Sequence, residues 1–352
     1  MRVPGLDRAS RMAAQLRDRF GIHAVILMYH RVIDIPSDPW GLNVTPRHFA
    51  EHLEVLRRLG CVVRLEELTG MLRRRERSPS KAVVITFDDG YADNLHEAKP
   101  LLEEARLPAT IFMTSGDVGR TQEFWWDELE KMLLQPGELP EVLNLTINGQ
   151  EHRWKLGADA SYGRDQFELH KHWRADSEER PTARHQLYRS IYDLVQGLAK
   201  EAREAVMDDL RHLSGSIPGV RPTHRALSPD ETRQLSEGNW IEIGAHTVTH
   251  QALSTQPPEI QRDEIADSKS QLEEIIGRPV TSFSYPYGLH SDETVRIARE
   301  AGFTCACACL DQSVRQSSDL FRLPRLMVED WNGEKFETRL QEWFDNVSSA
   351  HA

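Results

Sequence analysis

The sequence predicts an α/β fold in which parallel strands alternate with helices packed outside them. Three observations carry this. Short apolar runs rich in β-branched residues recur and end on polar side chains: residues 24–30 end on Tyr29-His30, 83–87 run into Asp88-Asp89, and 240–245 run into His246. Amphipathic stretches with helix-start signals separate these runs. At 352 residues the chain can hold one large α/β domain with an insertion, or two domains. Several such units in a row suggest a barrel or a doubly wound sheet.

Residues 1–24 read as a lead-in, an amphipathic helix with Leu6, Met12, Leu16 and Phe20 on its apolar face. The strand at 24–30 follows, then a loop marked by Pro36, Pro39 and Gly41. Thr45-Pro46 starts a helix by the N-cap and first-turn rule, with Phe49, Leu53 and Leu56 at helical spacing. A short strand at 61–63 and a short helix at 65–74 lead to the strand at 83–87. A helix over about 93–105 and a strand at 109–113 complete the first barrel part, residues 25–120.

The rhythm then breaks. Residues 121–224 read as an insertion, mostly helical, with one β-hairpin turned by Asn148-Gly149. Trp125, Trp126, Trp154 and Trp173 fall here. Packing is the expected role except for the adjacent Trp125-Trp126 pair, the best candidate for a sugar contact. Ser228-Pro229 restarts the alternation as an N-cap with proline at the first helical position. Strands at 240–245, 280–285, 303–308 and 321–328, with helices at 258–276 and 293–301, make the second part, 225–335. Residues 336–352 are a C-terminal helix or tail.

Composition narrows the function. Lys+Arg of 43 against Asp+Glu of 55 gives a net charge of −12, which argues against a nucleic-acid partner as the main role. No stretch approaches a membrane span. Met1 to His23 has no apolar run of signal-peptide length, so the cytoplasm is the expected compartment. Cys305, Cys307 and Cys309 share one face of a strand. No second cysteine cluster completes a tetrahedral site, so small apolar packing inside a crowded barrel is expected of them.

The chemistry concentrates at Asp88-Asp89. Two carboxylates at the end of a buried strand are costly, and a cation is the cheapest way to keep one ionised. Asp89, His246 and His250 make a three-ligand set that leaves positions open for water and substrate, as catalytic metals require. The His-x-x-x-His spacing puts both imidazoles on one face if the segment turns helically.

Thr86-Phe87-Asp88-Asp89-Gly90, His246-Thr247-Val248-Thr249-His250 and Ser284-Tyr285-Pro286-Tyr287-Gly288 resemble, in order, the first three motifs of the polysaccharide deacetylases, the NodB-like fourth family of carbohydrate esterases. The resemblance covers about 25–119 and 225–330 and implies a distorted barrel of seven β/α units. It implies that Asp89, His246 and His250 bind a divalent metal and that Asp88 is the general base. Imidazole and carboxylate ligands suit zinc, while cobalt, nickel, manganese and iron also fit. An oxyanion would meet the Tyr287 N–H after Pro286.

The chain departs from the family pattern twice. No arginine precedes the prolines of the third motif, and no Leu-x-His follows residue 300. Arg325, in Leu323-Pro324-Arg325, is the candidate to hold Asp88 instead. Tyr29-His30 resembles the Met-Tyr-His segment of a subgroup that includes deacetylases of exported poly-N-acetylglucosamine. His30 is therefore a candidate general acid, with His290 as the alternative. The expected function is metal-dependent removal of N-acetyl groups from an amino sugar, with an intracellular lipid- or nucleotide-linked sugar as one expected substrate. Hydrolysis of another linear amide or a cyclic imide, or an inactive sugar-binding homologue, are the other readings.

Overall fold

The computed structural model describes residues 23–76, 81–215 and 219–349, with side chains to 345. The lead-in helix expected at the N-terminus lies outside them. In chain order, β1 (His23–Tyr29) leads to a short pair, β2 (Arg31–Val32) and β3 (Asn43–Val44), and to helices α1 (Pro46–Leu59) and α2 (Leu65–Arg74). Next come β4 (Ala82–Phe87), α3 (Lys99–Ala105) and β5 (Ala109–Met113). Between β5 and the next long strand lie α4 (Trp125–Leu133), β6 (Gly137–Glu138), β7 (Val142–Ile147), β8 (Gln150–Lys155) and β9 (Ser161–Tyr162), then α5 (Arg164–His170), α6 (Ala183–Val195) and α7 (Lys200–Ser214). The alternation resumes with α8 (Pro229–Ser236), β10 (Ile241–Ala245), α9 (Pro258–Ile276), β11 (Ser282–Ser284), α10 (Asp292–Glu300) and β12 (Cys305–Cys307). β13 (Val314–Arg315), β14 (Leu326–Met327) and α11 (Gly333–Ser349) end it.

The sheet runs β12-β11-β10-β5-β4-β1, and every neighbouring pair is parallel. The expected strand at 321–328 is split. Its first part bridges β12 through Leu323 and Cys307, with Ala308 donating to the Leu323 carbonyl. Its second part, β14, pairs in parallel with the end of β1. Pro324, which cannot donate a ladder hydrogen bond, sits between the two halves. The segment thus closes a distorted seven-strand barrel through a kinked seam. One short strand, β13, runs antiparallel to the start of β1.

Strands buried on both faces read as near-continuous apolar runs, and β1, β4 and β5 do, with Thr86 and Thr110 as buried polar exceptions. Alternate residues divide between two cores. Val25, Leu27, Val83, Ile85 and Ile111 pack with α1, α9 and α10 outside the barrel. Ile26, Val84, Phe112, Cys305 and Cys307 pack with Leu65, Leu68 and Leu72 of α2. The apolar packing expected of the cysteines holds for Cys305 and Cys307, but Cys309 is half-buried, beyond the end of β12. Helix α3 starts later than its sequence pattern. Pro100 cannot donate to the preceding turn, and residues 94–98 form a π-helical turn instead.

A third core joins α4, α6, α7 and the β7–β8 hairpin around Leu129, Leu143, Tyr188, Ile191 and Met207. Asn148 and Gly149, with φ of 49° and 75°, make the expected two-residue turn of that hairpin.

Gly244 on β10 sits where the barrel leaves no room for a side chain. A Cβ there would lie 2.4 Å from the Phe112 ring and 2.8 Å from Ser282 Oγ. Gly244→Ala should therefore lower unfolding stability by about 1–3 kcal/mol. Urea denaturation checks this, and an unchanged midpoint would show that the barrel repacks freely there.

Candidate active site

The strand ends of β1, β4 and β10 deliver the polar residues to one end of the barrel. β4 stops at Phe87, and the two carboxylates follow in a turn rather than on the strand. Asp89 has φ of 74°, a left-handed conformation uncommon for a residue with a Cβ. That turn, and not strand alternation, sends Asp88 and Asp89 to different partners. Both are 3% exposed.

Asp88 faces Arg325, which donates Nη1 to Oδ1 at 2.7 Å and Nη2 to Oδ2 at 2.6 Å. The same guanidinium reaches Ser284 Oγ at 2.7 Å and Thr86 Oγ1 at 3.2 Å. Burial alone would raise the Asp88 pKa. The charges of Arg325 and His246 and the Arg325 hydrogen bonds together outweigh it and hold the carboxylate well below its usual range.

Asp89 has no such partner. Its buried Oδ1 makes no hydrogen bond and lies 3.3 Å from His250 Nε2 and 3.7 Å from His246 Nε2. Burial raises its pKa. One ligand atom from each of the three residues lies within 4.8 Å of the others. An ion bonded to them at about 2.0–2.2 Å in tetrahedral geometry needs ligand atoms roughly 3.3–3.6 Å apart. His246 Nδ1 donates to the Ser284 carbonyl at 2.8 Å, which leaves the Nε2 lone pair for a metal. Burial lowers the His246 pKa to about 4 and, with the Arg203 charge second, that of His250 to about 3, so both imidazoles are neutral ligands at neutral pH. The orphaned oxygen, the neutral imidazoles and the spacing fit a divalent cation.

The 246–250 segment is not helical. Thr247 and His250 have φ of 66° and 55°, and the imidazoles converge, centroids 4.9 Å apart, through a bent loop.

These groups open into a cavity of about 320 Å³, at the small end of ligand-site volumes. His30 lines it, half-buried. Burial lowers its pKa against the pull of Asp89 and Asp88. His290 is not on the cavity wall: its Nδ1 meets the Gly288 carbonyl at 2.9 Å and its ring stacks on Tyr285. Tyr287, with φ of 58°, lines the cavity, while Pro286 is buried in the turn before it.

The tryptophan pair divides. Trp126 lines the cavity, packs 4.7 Å from the His250 ring and donates Nε1 to Tyr91 Oη at 2.7 Å. Trp125 is not on the cavity wall but packs behind it, 4.8 Å from the Tyr192 ring and under Arg203. Successive helical side chains diverge by about 100°, which separates the two indoles. Trp40, a lone tryptophan in the loop before β3, was not singled out from sequence. It lines the cavity with its Nε1 fixed on Tyr188 Oη at 2.7 Å and its ring 4.1 Å from Tyr192. Proximity to Pro39 and Gly41 was its only sequence signal. Arg174, Asp176 and Glu329 form the charged rim, Arg174 lying 3.2 Å from Asp176 and 3.8 Å from Glu329.

The family described as polysaccharide deacetylase matches residues 75–141 and 170–306, leaving out the β7–β8 hairpin. YxkH of Bacillus subtilis (strain 168) is 21% identical over 304 residues, 86% of this chain and 70% of that protein. The poly-β-1,6-N-acetyl-D-glucosamine N-deacetylase of Staphylococcus epidermidis is 26% identical over 125 residues, 33% of this chain and 42% of that one. In overall fold the chain is similar to the Streptococcus pyogenes deacetylase PplD, solved in complex with acetate. The TM-score is 0.56 at 17% identity, over 91% of this chain and 99% of that one.

Arg325→Met leaves the Asp88 charge buried without its partner and should cost about 3–5 kcal/mol of stability. Pairing it with Asp88→Asn should recover most of that loss. Equal losses in the single and double variants, measured by denaturant unfolding, would refute the coupling. Beneath Trp126, Asp127 accepts the Tyr91 hydroxyl at 2.8 Å, and burial raises its pKa to about 7. Because the folded pKa exceeds the unfolded value of about 3.9, the folded state binds the extra proton and stability falls as pH rises from about 4 to about 7. In Asp127→Asn that slope should flatten. An unchanged slope of melting temperature with pH would contradict the assignment.

Proposed function

The chain belongs to the polysaccharide deacetylase family, and on that premise we propose that it is a metal-dependent hydrolase of N-acetyl groups on an amino-sugar substrate. The observation that carries the reading is the division of two adjacent buried carboxylates, Asp88 gripped by Arg325 and Asp89 set with its bare oxygen against two neutral imidazoles.

Asp89, His246 and His250 would hold the cation. When bound there, a divalent ion acidifies a water and polarises the acetamide carbonyl. Asp88 is the base in this reading. Arg325 fixes the plane of its carboxylate, and Oδ2 stands 3.9 Å from His246 Nε2, beside the space a water would occupy. Kept anionic by Arg325, Asp88 is available to take a proton from a water in that space. The Tyr287 N–H is assigned to the developing oxyanion. His30 would take over the proton that Asp88 removes from the water and pass it to the leaving nitrogen, because an amide anion is a very poor leaving group.

The walls suit a sugar ring. Trp40, Trp126 and Tyr192 offer apolar faces, and Arg174, Asp176 and Glu329 offer hydrogen-bonding groups at the rim. The name of the Staphylococcus epidermidis relative makes β-1,6-linked N-acetylglucosamine oligomers the first substrates to test.

The experiment is metal analysis of the purified protein with acetate release measured on N-acetylated sugars and on cyclic imides. Asp88→Asn should keep its metal and lose about 10²–10⁴-fold in turnover. His30→Ala should lose about 10²-fold without losing metal. Near wild-type acetate release by the first variant would remove Asp88 as base, and by the second would remove His30 as acid. Trp40→Ala should raise KM on a sugar oligomer about ten-fold, with a smaller change in kcat. An unaltered KM would take Trp40 out of the sugar contact.

A further inference from the structure

The two histidines of the site are delivered by a loop, 246–250, whose backbone is strained at both Thr247 and His250. Residues with a Cβ persist in such conformations only where surrounding contacts impose them. The loop's backbone is accordingly held from several directions. Ser115 and Gly116, just after β5, donate their N–H groups to the carbonyls of Thr247 and Val248 at 3.1 and 2.8 Å. The Thr247 hydroxyl accepts the His250 N–H at 2.9 Å.

Two buried charges complete the enclosure, and both meet at Thr249. Glu264, on α9, takes the N–H groups of Val248 and Thr249 on Oε2 at 2.9 and 2.8 Å and the Thr249 hydroxyl on Oε1 at 2.6 Å. Arg203, on α7, donates Nη2 to the Thr249 carbonyl at 2.7 Å. Glu264 is 8% exposed and Arg203 3%, and neither forms a salt bridge among the described residues. Arg203 Nη1 has no hydrogen-bond partner, and its guanidinium lies 5.9 Å over the Trp125 ring.

Neither charge has a counter-ion in contact; Asp117 and Glu204 act on Arg203 only at longer range, so ion pairing does not account for either residue. Charge-assisted hydrogen bonds are, however, about twice as strong as neutral ones and shorter, which suits them to holding a backbone in an unfavourable shape. We infer that Glu264 and Arg203 are positioning residues of the metal centre, acting through Thr249 to keep His250 Nε2 turned toward Asp89. The inference rests on the reading of Asp89, His246 and His250 as metal ligands. It also gives Trp125 a role, as the surface against which Arg203 lies.

The test is Zn²⁺ affinity of the full-length metal-free protein, measured by competition with a chromophoric chelator beside unfolding stability. Glu264→Gln removes the charge, leaving the amide oxygen for the two backbone donors and its N–H₂ for the Thr249 hydroxyl, and should weaken Zn²⁺ binding about 10-fold. The Co²⁺-loaded variant should show altered ligand-field bands. Arg203→Met should also weaken binding, while Arg203→Lys, which can still donate to the Thr249 carbonyl, should retain most of it. If Glu264→Gln does not fold, Thr249→Val serves, since it deletes only the hydroxyl bond to Oε1 and should weaken binding several-fold. Variants that unfold more easily yet bind Zn²⁺ with wild-type affinity would overturn the inference and leave a merely structural clamp. Wild-type protein whose Zn²⁺ affinity is indifferent to His250→Ala would overturn the metal reading itself, a distinct outcome.

Discussion

Two adjacent carboxylates buried at one end of the barrel set the terms for the whole site. Neither Asp88 nor Asp89 can stay ionised without compensation, and one partner cannot serve both. The left-handed turn at Asp89 separates them. Asp88 goes to Arg325, on the segment that closes the barrel between β12 and β1, and Asp89 to two imidazoles from the loop after β10. The seam of the barrel is therefore tied to the chemistry. The arginine absent from its usual place before Pro286 is replaced from the strand that closes the sheet.

Strain collects where these groups meet. Asp89, Thr247, His250 and Tyr287 have positive φ; Asp89, His250 and Tyr287 line one cavity, and Thr247 is buried in the loop that carries His250. Each such conformation costs about 1–3 kcal/mol and needs surrounding contacts to persist. Those contacts come from the strand ends, from the helix carrying Glu264 and from the helices between β5 and β10. Those helices also supply Trp126 and Tyr192, and the connection between two of them supplies Arg174 and Asp176, so the region builds both part of the cavity wall and part of the support for His250. That favours a role in shaping the pocket.

The alternation of strands and helices and the set of Asp88, Asp89, His246 and His250 were legible because both follow from local rules: apolar runs, caps, and residue types that are costly to bury. Arg325 was reachable by asking what replaces a missing cation. What lay beyond such rules is equally specific. Adjacency suggested that Trp125 and Trp126 act together, but only Trp126 reaches the cavity wall, with Trp125 packed behind Tyr192. Trp40 carried no local pattern, since its place in the cavity depends on Tyr188 and Tyr192, about 150 residues distant in sequence. His290 follows the third motif closely, yet its ring turns back onto Tyr285. A helical turn was a reasonable reading of His-x-x-x-His, and only the contacts to Glu264, Arg203 and the turn after β5 show why the backbone takes another path.

The central claim is that the neighbouring carboxylates have separate duties, one toward a cation and one toward an arginine and a water. Anomalous diffraction from crystals of the metal-loaded protein, collected at the absorption edge of the bound ion, tests it most directly. The account predicts one ion at about 2.0–2.2 Å from Asp89, His246 and His250, with the Asp88–Arg325 fork intact beside it. An ion bridging Asp88 and Asp89, or one seated away from the two histidines, would contradict it.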